Sequence, residues 1–145
     1  MMRLLTSIAA VGLAAAAGAA VAVPALASPQ AASHTLAFTT VTKSTIGFST
    51  TSAGVQQTDV NKAGVAIGFD ESYGVAISKT AIANDVTVVT KGGLIYATYT
   101  LNLANGKVTN GKVTGGTGAF AHATGTLTAK PASGSKYAVT ITYRT

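Results

Sequence analysis

The chain has 145 residues, with 10 Lys and Arg against 4 Asp and Glu, no Cys, no Trp and 16 Gly. The length suits one domain. Without cysteine there is no disulfide, no zinc–thiolate or iron–sulfur site, no thiol nucleophile and no lipidated Cys. Two histidines and four acids leave little for a metal cage or a multi-residue acid–base site.

Arg3 opens a positive segment, and Leu4 to Val23 is almost wholly apolar. Pro24 breaks the run, and Ala25-Leu26-Ala27 has the small-x-small form of a peptidase site. That order describes a secretory signal peptide over residues 1–27. An uncleaved anchor is the competing reading, since about twenty apolar residues just span a bilayer. The proline and the cleavage site favour removal and a secreted, extracellular protein without stable membrane insertion. Residues 28–33 then form a linker, and 34–145 the folded domain.

Removing the leader takes Arg3 and no acid, leaving nine cations against four acids, a charge of +5. The cations, Lys43 through Arg144, are scattered and never adjacent. Scattered lysine is a solubilising surface that also guards sheet edges. No basic cluster interleaves with aromatics, so nucleic acid is not an expected partner.

The rest of the chain reads as strands. Thr, Val, Ile, Tyr and Phe dominate, the residues that suit a pleated surface. Leu36 and Phe38 share a face, as do Val65, Ile67 and Phe69. Asp70-Glu71 follows as the one acidic pair. It reads either as a solvated turn or as a carboxylate at a barrel mouth. In a strand, adjacent acids point to opposite faces, so at most one enters the interior. Gly74 and Asn84 mark weak breaks, and Lys91-Gly92-Gly93 a clear one. Ile95, Ala97, Tyr99, Leu101 and Leu103 share one face. Asn105-Gly106 signals a type I′ hairpin, in which both central residues need positive φ. The sequence Asn-Gly-Lys-Val-Thr occurs at 105–109 and again at 110–114. An odd shift puts the copies on opposite faces, so Asn110-Gly111 is expected to be a bulge. Near the C-terminus Tyr137, Val139, Ile141 and Tyr143 alternate cleanly with polar partners. The count is about eight antiparallel strands with turn signals between them. That is an all-β protein, an eight-stranded antiparallel, calycin-like β-barrel that is either filled or holds one small ligand.

Gly116 to Ala121 matches the G-x-G-x-x-A dinucleotide fingerprint in spelling only. It lies in a strand-rich segment, and no acid follows Asp85. His34 and His122 sit in no metal-ligand pattern, and His122 reads as a surface turn residue. No metal, nucleotide or prosthetic group is expected. Phe38, Phe69, Tyr99, Tyr137 and Tyr143 are the candidate ligand-binding residues: apolar surface with hydroxyl handles.

The segment Val113-Thr114-Gly115-Gly116-Thr117-Gly118-Ala119-Phe120-Ala121-His122-Ala123-Thr124-Gly125-Thr126 resembles the signature of allene oxide cyclases and dirigent proteins. Asp59 to Phe69 looks like their acidic, glycine-spaced early strand. The resemblance implies an eight-stranded barrel with an apolar cavity, commonly a homotrimer. It makes Gly115, Gly116, Gly118, Phe120 and Gly125 structural, with Phe120 a plug. Plant dirigent proteins carry arginines where this chain has Ala121 and Thr124. No acid maps onto the cyclase's catalytic position, and Asp70 and Asp59 are the nearest catalytic candidates.

Three functions fit these observations. The first is a module binding an apolar small molecule such as a lipid, terpenoid, polyketide or phenolic. The second is a cofactor-free isomerase or cyclase that works by confining its substrate. The third is a filled, structural barrel associated with the cell envelope and without a ligand.

Overall fold

In a computed structural model, described over residues 31–47 and 49–145, eight antiparallel strands close into a barrel in sequence order. The proposed leader and the first half of the linker, 28–30, lie outside the described residues. The strands are β1 (His34–Gly47), β2 (Ser52–Val60), β3 (Ala66–Ser78), β4 (Ala81–Thr90), β5 (Gly93–Asn102), β6 (Val108–Gly116), β7 (Thr124–Pro131) and β8 (Tyr137–Arg144). Strand β1 pairs with both β2 and β8, so no edge is left exposed. Among the described residues, no helix is long and apolar enough to cross a membrane.

Antiparallel neighbours alternate their connections between the two barrel ends. At one end lie the β2–β3, β4–β5 and β6–β7 connections with the start of β1 and the finish of β8. The other end carries the remaining hairpins.

The first end is plugged. The β6–β7 connection holds a 3-10 turn, Gly118–Phe120, whose Phe120 is buried. Its ring lies edge-on to Tyr143 at 5.4 Å, and Tyr143 stacks on His34 at 5.4 Å. Gly116 makes this approach possible. A Cβ there would lie 2.5 Å from both Leu94 O and Phe120 O, closer than real Cβ atoms come. Ile95, Val113, Ala123 and Ile141 complete the dry layer. Each large aliphatic buried there contributes about 1.5–3 kcal/mol.

Several turn expectations need revision. Asp70-Glu71 is no turn, because β3 runs through it. Gly74 and Asn84 likewise sit inside strands, paired with each other. The β5–β6 loop is longer than a type I′ turn. Asn102 N donates to Lys107 O and Gly106 N to Asn102 O, and Gly106 alone of the Asn105-Gly106 pair has positive φ, 67°. Asn110-Gly111 is a bulge: the β5 register slips between Thr98 and Thr100, and Asn110 takes φ 55°. His122 is exposed in the β6–β7 connection at φ 62°.

Candidate functional site

From the unplugged end a cavity of about 470 Å³ runs into the barrel. Period-two alternation of every strand builds its wall. Phe38, Val86, Val88, Leu127, Ala129 and Val139 make the apolar part. Thr40, Gln57, Asp70, Ser72, Asn84, Tyr99 and Tyr137 supply polar groups. Gly134, Ser135 and Lys136 of the β7–β8 connection stand at the mouth.

Several polar wall groups are held by the wall itself. Gln57 Nε2 donates to Thr42 Oγ1 at 3.1 Å, and Asn84 Nδ2 donates to Ile82 O at 3.2 Å. Tyr137 N donates to Thr40 Oγ1 at 3.2 Å, tying β8 to β1. Burial pushes the Tyr99 hydroxyl above its ordinary pKa, against a hydrogen bond with Ser72 that lowers it.

The two carboxyls are the chemical centre. Asp70 on β3 lines the cavity and is 3% exposed. Asp59 on β2 is 1% exposed and lies off the wall, toward the plugged end. They are diagonal neighbours: Gln57 pairs with Asp70, and Asp59 with Gly68. Among the described residues, neither oxygen of Asp59 has a hydrogen-bond donor when Asp70 is counted as a carboxylate. A protonated Asp70 can provide one. Burial raises Asp59 to about 6, with Asp70's hydrogen bond pulling it down. Burial, then the hydrogen bond and charge of Asp59, raise Asp70 to about 8. The pair therefore holds one proton between its two carboxyls near neutrality, because two adjacent buried carboxylates cannot both be charged cheaply.

Phe38, Tyr99 and Tyr137 lie on the cavity wall. Phe69 does not: Asp70 takes the inward position of β3, so Phe69 faces outward and is 40% exposed. Tyr143 belongs to the packing around Phe120 rather than to the wall. Gly115 and Gly116 end β6, Gly118 opens the 3-10 turn and Gly125 pairs with Tyr143 in β7. Ser72, Asn84 and Gln57 are not singled out by the sequence; each shares a strand face with another wall residue, Asp70, Val86 and Val55 respectively.

No protein-family model matches this sequence, and no curated protein does. Among solved structures, a pyocyanin demethylase superposes with a TM-score of 0.64 at 16% identity, covering 76% of this chain and 99% of that one. At that identity the likeness establishes the barrel fold and nothing finer.

Proposed function

We propose that this is an exported barrel that binds a small, largely apolar molecule in its interior. The observation that carries the reading is the cavity of about 470 Å³. It falls within the usual volume range of ligand pockets, with a mostly apolar wall surface into which polar side chains are set. A purely structural barrel would be expected to fill that space with side chains. The glycine-rich signature and the plug of Phe120 support kinship with the allene oxide cyclase and dirigent barrels. On the same kinship, copies would assemble as a homotrimer. Native mass spectrometry of the protein recovered from its own culture medium tests the reading. The expected result is a mature chain starting near Ser28 that retains a small-molecule mass. A bare protein that also takes up no added naphthalene would overturn it.

A second reading, a cofactor-free isomerase or cyclase, rests on the carboxyl pair beside the cavity. An acid holding its proton near neutrality is suited to general acid catalysis. The superposed demethylase is an enzyme by its name. Turnover that is lost in Asp70→Asn, with ligand affinity kept, would favour this reading over simple binding.

A further inference from the structure

The cavity has an apolar wall along most of its length and an acidic floor. Asp59 is buried with both oxygens unpartnered by any ordinary donor, and Asp70 stands between it and the cavity. When Asp70 donates to Asp59, one need is met and another appears. The pair still carries one negative charge, and Asp70, which lines the cavity, keeps an oxygen free to accept.

Nothing on the described wall neutralises that charge. The titratable groups facing Asp70 are Asp59 on β2, Tyr99 on β5 and Tyr137 on β8. The wall residues from β1, β4, β6 and β7 are neutral. Lys136 stands at the mouth and is exposed. Glu71 and Asp85 have the opposite strand parity and are exposed on the outer face. A buried charge without a counter-charge is costly, and a ligand cation would relieve that cost.

We propose that the Asp59–Asp70 pair, sharing one proton, is the anchor for a protonated nitrogen, so that the cavity takes a small amine or basic N-heterocycle with an apolar body. This deepens the ligand-binding reading and rests on it. A carboxylate ligand is excluded from the floor by repulsion. A neutral ligand gains the apolar wall but leaves the charge uncompensated.

Three probes of one shape test this by calorimetry at pH 7.5: 1-naphthylmethylamine, 1-naphthalenemethanol and 1-naphthoate. The amine is expected to bind about tenfold or more tightly than the alcohol, and the naphthoate more weakly than either. The amine's advantage should fall as pH drops from 7.5 to 5. Taking up a second proton removes the negative charge of the pair, a step that burial brings closer to neutral pH than for an ordinary aspartate. Asp59→Asn/Asp70→Asn should abolish the preference, and Glu71→Gln should keep it. Circular dichroism of each variant separates loss of fold from loss of charge. Equal affinity for amine and alcohol would overturn the anchor while leaving the ligand-binding reading intact. No binding of any probe would overturn both.

Discussion

One end of the barrel is filled by the β6–β7 connection, with Phe120 packed over Gly92 and against Tyr143. At the other, four hairpins ring an opening and the interior stays hollow, with Pro131, Gly134 and Lys136 at the rim. The same eight strands serve both. The difference comes from what is threaded between them. One connection carries a glycine-rich segment that lets backbone approach backbone closely enough to seat a large ring. The rim hairpins contribute small and polar residues that leave space. Packing therefore holds the closed end, and the open end is free to carry chemistry. The carboxyl pair lies at the inner end of the cavity, toward the plug, where burial favours the protonated form.

The largest effect is expected at the plug. Phe120→Ala should destabilise the barrel by about 3–5 kcal/mol, through lost transfer energy and the cavity left behind. Denaturant unfolding checks it. A loss below about 1 kcal/mol would mean that the rest of the layer closes the end by itself. Gly116→Ala should cost less, about 1–3 kcal/mol, because the backbone around Leu94 and Phe120 must shift to admit one methyl group.

The carboxyl pair sharpens the comparison through pH. Unfolded aspartates titrate at about 3.9. Folded, the pair keeps its protons up to about 6 and about 8. The folded state binds more protons across that window, so stability falls as pH rises from about 4 to about 8 and levels off above. A Tm at least about 4 °C lower at pH 8.5 than at pH 5 is expected, since one displaced pKa unit is about 1.4 kcal/mol. Asp70→Asn should flatten the upper part of that loss. A flat profile in the native chain would show both carboxyls ionised in the ordinary range.

Much of the fold was legible in the sequence. Alternation in 137–143, the Lys91-Gly92 turn and the Asn110-Gly111 bulge each follow from local chemistry that tertiary structure did not override. The site was less legible. Alternation says which residues share a face but not which face turns inward. In β3 hydropathy points the wrong way, because the outer positions, Glu71 apart, are Phe69, Tyr73, Val75 and Ile77, more apolar than Asp70, Ser72 and Gly74, which face the interior. The inner face is polar because it borders the cavity floor.

Phe69 carries the smallest and most discriminating prediction. The sequence pattern put it in a pocket; the register of β3 against β4 puts it outside, opposite Val89. For an isolated barrel, Phe69→Ala should change stability by less than about 1 kcal/mol, as outward positions do, and leave probe affinity unchanged. Weakened binding with an unchanged fold would mean that β3 presents the opposite face and that Asp70 is not on the cavity wall. A third result is possible if copies assemble through this face. Phe69→Ala would then lower Tm in a way that depends on protein concentration, because association stabilises by mass action. Thermal scans of both proteins over a hundredfold dilution distinguish these outcomes. A dilution-dependent loss, with affinity intact, would make the outer stripe of β3 a contact between copies and explain why it is more apolar than the inner face of the same strand.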